Sequence, residues 1–229
     1  QFNHTLSCEG ESVSFTDLSV LTNGSITGWQ WDFGDASPST TIQNPSHVYA
    51  QSATYPVTLV ALGNNGCYDT LIKNIFVRPL PTANFLLGNE CIYTPVAFTD
   101  SSYLTGNTIT NWEWNFGDAT TDTINQNPLH LYAQSGFYTI SLHVVASNGC
   151  ENDVVKQVQI YPQPVALFGT SVSCINSTTN FLDLSSCTVD SVTSWLWNFG
   201  DGTAQSLLQN PSHVFGNDTL YRITLVAFS

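Results

Sequence analysis

The chain contains no methionine, and only four of its 229 residues carry a basic side chain: Lys73, Arg78, Lys156 and Arg222. Against 17 acidic residues they leave a formal net charge of −13, so almost nothing is present to neutralise phosphates or an anionic headgroup layer. Nucleic acid is thereby excluded as a partner, and so is electrostatic membrane binding. No run approaches the roughly 18 consecutive apolar residues of a spanning helix, so no direct membrane insertion is expected. The chain opens on Gln1 with neither a Met nor a signal-peptide pattern. Charged residues of both signs make up only 9%, where an ordinary domain carries roughly a quarter.

What replaces charge is hydroxyl and amide: Ser, Thr, Asn and Gln total 82 residues, beside a hydrophobic fraction of 42% that is ample for a packed core. Helix formers are scarce, while Thr, Val, Phe, Tyr and Trp are abundant, which favours strands. The expected fold class is all-β.

One period organises the chain. WQWDFGDA from Trp29 returns as WEWNFGDA from Trp112 and as WLWNFGDG from Trp195, each step being 83 residues. The same step of 83 links Cys8, Cys91 and Cys174, then Asp17, Asp100 and Asp183, then Asn44, Asn127 and Asn210, then His47, His130 and His213, without an insertion or deletion. Arg78-Pro79-Leu80-Pro81 and Tyr161-Pro162-Gln163-Pro164 occupy matching places and read as short, stiff, extended linkers. The expected units are residues 1–79, 80–162 and 163–229, with the first start-truncated, the third ending before its last strand, and the whole a window on a longer array.

Within a unit, turn signals come at sandwich-like spacing. Asn23-Gly24, Gly34-Asp35, Asn44-Pro45 and Asn65-Gly66 separate strands at Val13–Asp17, Ile26–Phe33, His47–Tyr49, Tyr55–Leu62 and Tyr68–Val77. Trp29, Trp31 and Phe33 fall on alternate positions and share one face of their strand, as Tyr55, Val57, Leu59 and Ala61 do on theirs. Two such faces make the core of a β-sandwich.

The succession W-x-W-x-F-G-D, N-P-x-H-x-[YF], a Tyr-led strand and G-C resembles the PKD domain, the Ig-like sandwich named from polycystic kidney disease protein. The resemblance covers all three units and implies Ig-like sandwiches with Greek-key topology. Against the usual W-D-F-G-D-G, Asn115 and Asn198 stand where the first unit has Asp32, and Ala36 and Ala119 stand where Gly202 keeps the glycine.

The recurrent residues are expected to build the fold. Trp31, Trp114 and Trp197 should pack in the core. Gly34, Gly117 and Gly200 should permit a strand-end backbone that a Cβ would strain. Asp35, Asp118 and Asp201 suit turn amides, and His47, His130 and His213 suit hydrogen bonding after the Asn-Pro turn. A catalytic reading of the Asp32/Asp35 carboxylates fails where Asn115 and Asn198 replace the first of them, so no enzyme is expected. Zinc would need the three histidines to meet, and each lies in a different unit. Oxygen ligands are plentiful enough to leave calcium open, although no D-x-[DN]-x-[DN]-G loop occurs; no other cofactor is expected.

Cys8 with Cys67 and Cys91 with Cys150 are the same pair one period apart, so a disulfide is expected inside each of the first two units, in an oxidising compartment. Cys174 is the third copy of Cys8, while Cys187 matches Leu21 and Leu104. Either these two pair locally or both stay unpaired, with the local pair preferred.

Rigid, repeated, stapled units suit an extended extracellular stalk or fibre of a large surface protein, whose expected partners are its own neighbouring repeats and other surface proteins or polysaccharide. The resemblance implies more: arrays of this style look like those of Bacteroidota surface adhesins exported by type IX secretion and used in gliding motility. It also implies O-glycan attachment at Asp-[Ser/Thr] triplets, here Thr70, Thr123, Ser191 and Thr219. The alternative is a set of accessory modules beside the catalytic domain of a secreted hydrolase or protease.

Overall fold

The computed structural model describes residues 1–88, 90–171 and 174–229. The first unit contributes β1 (Phe2–His4), β2 (Ser12–Asp17), β3 (Ile26–Asp32), β4 (Ser46–Val48), β5 (Thr54–Gly63) and β6 (Tyr68–Phe76). The second contributes β7 (Phe85–Leu87), β8 (Val96–Asp100), β9 (Ile109–Asn115), β10 (Thr121–Asp122), β11 (Leu129–His130), β12 (Gly136–Ala146) and β13 (Glu151–Ile160). The third contributes β14 (Phe168–Thr170), β15 (Thr178–Asp183), β16 (Ser194–Asn198), β17 (Ser212–Val214) and β18 (Thr224–Phe228). Among the described residues there is no helix, so the all-β expectation holds.

Each unit is two sheets face to face. In the first, β1-β2-β4 opposes β3-β5-β6; in the second, β11-β8-β7 opposes β10-β9-β12-β13; in the third, β14-β15-β17 opposes β16-β18. The chain leaves its first sheet after β2, returns for β4 and crosses again for β5, so the connections from β2 to β5 cross the sandwich, while β1–β2 and β5–β6 are neighbours in one sheet. Neighbouring strands within each sheet run antiparallel.

Period-2 patterning explains the packing. In β2, Val13 and Phe15 point inward while Ser12, Ser14 and Thr16 face water. In β3, Trp31 lies opposite Leu59 of β5; one period on, Trp114 lies opposite Leu142 and Trp197 opposite Leu225. All three tryptophans are completely buried, as expected. Phe2 and Phe15 surround Trp31 with ring centroids 5.0 and 5.5 Å away, in the edge-on and tilted orientations that aromatic quadrupoles favour. Phe85 and Phe98 repeat this around Trp114 at 5.3 and 5.4 Å. Each unit therefore owns a separate core.

Candidate functional site

Two features recur or connect units, and both are built from residues the period picks out. The first is the turn after the Trp strand. Asp32 accepts a hydrogen bond from the Gly34 amide at 2.9 Å, and Asn115 and Asn198 accept the equivalent one from Gly117 and Gly200 at 2.9 Å. An amide oxygen closes this turn as well as a carboxylate does, which explains why Asp and Asn interchange here. Gly34, Gly117 and Gly200 lie at φ of +77°, +80° and +76°, in the left-handed region. A Cβ on Gly117 would also sit 2.6 Å from the Thr139 carbonyl oxygen, and one on Gly200 would collide with the Arg222 carbonyl. Glycine is required twice over, by conformation and by the close approach of the neighbouring strand.

Asp35 then takes three donors. The Ser37 amide and hydroxyl reach its Oδ1, and His47 Nε2 lies 2.7 Å from its Oδ2. Asp118 with Thr120 and His130, and Asp201 with Thr203 and His213, repeat the arrangement at 2.7 and 2.6 Å. Each imidazole is stacked flat on the preceding aromatic: Phe33–His47 and Phe116–His130 at 4.1 Å, Phe199–His213 at 4.2 Å. The Tyr49 and Tyr132 hydroxyls donate to the Phe33 and Phe116 carbonyls at 3.0 and 2.9 Å, while Phe215 fills that place in the third unit. The histidines are thus engaged within their own units, as the spacing predicted, with a partner the spacing did not name.

Partial burial opposes ionisation of Asp35 and Asp118, but the Ser37 or Thr120 hydroxyl and the histidine outweigh it, holding both carboxyls below their usual value. At Asp201 the Thr203 hydroxyl and then His213 bring the pKa down to about 2. A carboxyl depressed on folding contributes stability that is complete above its unfolded value and lost as pH falls through the folded one. The destabilisation caused by Asp118→Asn should therefore be full near neutrality and shrink below about pH 4, the unfolded Asp value. Thermal unfolding of variant and parent across that range measures it, and a difference independent of pH would refute the assignment.

The sequence named no partners for a second hub. Asp17 Oδ2 accepts from Trp29 Nε1 at 2.7 Å and from Gln43 at 3.3 Å, its Oδ1 accepts from the Ser19 amide at 2.9 Å, and its own amide donates to Asn44. Asp100 does the same with Trp112, Gln126, Ser102 and Asn127. This is why Trp29 and Trp112, the outer tryptophans of the first two motifs, are only partly buried: the indole N–H is turned to a carboxylate at the sheet edge. The recurrent separation of 12 residues between aspartate and tryptophan was the available signal.

Thr120 Oγ1 lies 3.4 Å from His130 Nε2 but donates to Asp118 Oδ1, so its hydroxyl is held by the carboxylate. Among the described residues no three of His, Cys, Asp or Glu converge as a metal site would require. The Asp32 and Asp35 carboxylates serve different turn amides. Thr70, Thr123, Ser191 and Thr219 are all exposed, Thr70 on β6 and the other three outside strands.

The second feature is the junction of the first two units, and it overturns the expected disulfides. Cys8 bonds to Cys150, across the units, with Cα atoms 5.9 Å apart; Cys67, Cys91, Cys174 and Cys187 are free thiols. The expected Cys8–Cys67, Cys91–Cys150 and Cys174–Cys187 pairs do not form. The reason is length. Cys8 pairs in parallel with Arg78, at the exit of the unit, whereas Cys67 precedes β6, whose nine residues span roughly 30 Å before that exit. Two cysteines at opposite ends of a sandwich cannot meet. By the same geometry Cys150, just before β13, lies at the entrance of the second unit and faces Cys8.

Hydrogen bonds secure the same place. An Arg78 guanidinium nitrogen donates to the Asn148 carbonyl at 2.6 Å, Asn148 Nδ2 donates to the Pro79 carbonyl at 2.8 Å, and Asn152 Nδ2 donates to the Pro81 carbonyl at 2.8 Å. Pro79 and Pro81 have no amide N–H to offer, so their carbonyls are what the linker presents, and the β12–β13 turn and the start of β13 supply the donors. Asn148 Oδ1 accepts from the Cys150 amide at 3.0 Å, which shapes the turn that carries the sulfur.

Comparison with known proteins agrees with this architecture. The family model of the PKD domain matches residues 2–77, 79–160 and 161–228. Among curated proteins the chain is similar to the collagenase ColA of Bacillus cereus, 39% identical over 56 residues that make up 24% of this chain and 6% of that protein. It is similar also to a microbial collagenase of Vibrio alginolyticus, 34% identical over 83 residues, 36% of this chain and 10% of that protein. The chain thus spans a tenth or less of these relatives. Among solved structures, the PKD1 domain of Vibrio anguillarum Epp is 26% identical, covering 35% of this chain and 93% of that one with a TM-score of 0.33. With three matches that together take in nearly every residue, the chain belongs to the PKD domain family, as a tandem of three units.

Proposed function

We propose that the chain is a non-catalytic spacer of an extracellular protein, a stiff segment of stalk or fibre within a large surface adhesin. The observation that carries this reading is the junction: units joined by one short linker normally move relative to each other, and here a disulfide and three hydrogen bonds to the linker and its flanking arginine hold them. The cross-unit disulfide also favours an oxidising compartment. The recurrent residues are used up in building turns and cores, so recognition would fall to the variable loops such as Leu18–Thr27, toward surface proteins or polysaccharide. A role in gliding motility and O-glycans at Thr70, Thr123, Ser191 and Thr219 belong to this reading as its finer parts.

The similarity to modules of two collagenases favours a second reading, accessory modules of a secreted hydrolase or protease that hold its substrate. Co-sedimentation separates the two. A spacer stays in the supernatant with insoluble collagen and with chitin; retention on either polymer, abolished by soluble competitor, would replace the spacer reading with the accessory one.

A further inference from the structure

We propose that the cysteines of these units are the two halves of a directional staple, and that Cys91 is the exit-end half, built to close on the entrance-end cysteine of another unit of the same kind. It rests on the geometry of the junction and stands whether the array is a spacer or an accessory module.

Cys8 and Cys91 occupy the same platform. Cys8 pairs in parallel with Arg78, the Glu9 amide donates to the Arg78 carbonyl at 2.9 Å, and the Arg78 amide donates to the Ser7 carbonyl at 3.2 Å. Cys91 pairs in parallel with Tyr161, the Ile92 amide donates to the Tyr161 carbonyl at 2.9 Å, and the Tyr161 amide donates to the Glu90 carbonyl at 2.7 Å. Tyr161 leads into Pro162-Gln163-Pro164 as Arg78 leads into Pro79-Leu80-Pro81. Cys91 therefore stands beside the second linker as Cys8 stands beside the first.

The entrance-end half is set by the β12–β13 turn. β12 pairs with β9 so that Leu142 faces Trp114, and four residues after Ala146, where β12 ends, the turn delivers Cys150 to the linker. In the third unit β18 pairs with β16 so that Leu225 faces Trp197, the same register one period on. A turn like Ser147–Cys150 following β18 would place its cysteine beside Tyr161 and Cys91. Cys67, before β6, is the entrance-end half of the first unit and is exposed; Cys174, one period from Cys91, is the exit-end half of the third. Within one unit the halves lie at opposite ends of β6 or β13, so closure inside a unit is excluded and the staple can only join one unit to the next.

The chemistry is thiol–disulfide exchange with a small disulfide such as oxidised glutathione as the oxidant. The Cys91 thiolate attacks that disulfide, forming a mixed disulfide and releasing one glutathione thiolate; the incoming cysteine's thiolate then displaces the second. Two protein thiols lose two protons and two electrons, one S–S bond forms, and two molecules of glutathione are released in the reduced form.

The test grafts a copy of the Ser147–Tyr161 sequence directly after Ser229 and folds the extended chain in a glutathione redox buffer. Non-reducing peptide mapping should find Cys91 joined to the copied cysteine, with Cys8–Cys150 intact and Cys91 lost from the set of alkylatable thiols. A link from the copied cysteine to Cys174 would restore the within-unit pairing and overturn the proposal. So would a Cys91 still open to alkylation in molecules that hold Cys8–Cys150, or a bond from Cys91 to Cys187, whose sulfur lies 3.8 Å from the Pro162 carbonyl at the same linker. The chain without the graft supplies a second test. In Cys8→Ser, Cys150 should stay an alkylatable thiol, because its only reachable partner is gone; a Cys91–Cys150 bond in that variant would refute the end-to-end geometry even if the grafted unit failed to fold.

Discussion

Trp114→Ala should cost the second unit about 3–5 kcal/mol, the range for emptying a fully buried aromatic site. Trp114 has no exposed surface, stands between Phe85 and Phe98, and faces Leu142 across the sheet. Those rings belong to two sheets held by regular ladders that cannot close over the space, so the cavity persists. Domains of this size have only about 5–15 kcal/mol in total, and the loss brings the second unit to the edge of unfolding at room temperature. The first and third units keep separate cores and should survive. Urea unfolding followed by tryptophan fluorescence and amide exchange should show one early transition confined to residues of β7 to β13. Trp114→Phe should cost clearly less, since it keeps most of the ring and removes an indole N–H that is buried without an acceptor. Equal costs for the two variants would show that the bulk of the indole is not what holds the core.

Cys150→Ser should have an effect of similar size but of another kind. The disulfide closes a separation of 142 residues, for which the chain-entropy relation gives about 5 kcal/mol if both units unfold together. The bond should therefore stabilise whichever of the first two units unfolds first, because either one unfolding alone leaves a closed loop. In Cys150→Ser both should melt at lower temperature. The junction would then rest on the partly buried hydrogen bonds of Arg78, Asn148 and Asn152, without a covalent tie, so the distribution of distances between labels on the two units should broaden. Calorimetry and a fluorescence-transfer pair read the two consequences. A variant that melts as the parent does, with an unchanged distance distribution, would show that the hydrogen bonds alone fix the junction.

Much of the fold was legible because strands announce themselves through period-2 alternation, and the tandem through the step of 83. The burial of Trp31, Trp114 and Trp197 followed from parity, and the need for Gly34, Gly117 and Gly200 followed from their place at a strand end. Partners were less legible. His47 and Asp35 are 12 residues apart with a loop between, and no local rule brings them together; their contact depends on β4 lying beside β2 while Asp35 hangs from the end of β3. The cysteines misled for an arithmetical reason. A repeat fixes which residues are equivalent but not whether a partner lies in the same copy or the next, so Cys8–Cys67 and Cys8–Cys150 satisfy it equally. What decides is the extended strand between Cys67 and Arg78, and its length was readable from the sequence as Tyr68–Val77.

The bond between Cys8 and Cys150 also alters how the molecule answers a pull. Tension entering at the first strand reaches Cys8 and crosses directly to Cys150, then continues along β13, so the stretch between them, a separation of 142 residues, carries none of it. Unfolded, that stretch would release on the order of 500 Å of slack. With the bond closed, Trp31 and Trp114 themselves lie outside the line of force, and β1, β13 and the third unit remain to yield, with Phe2, Val158 and Ile160 the core residues under load.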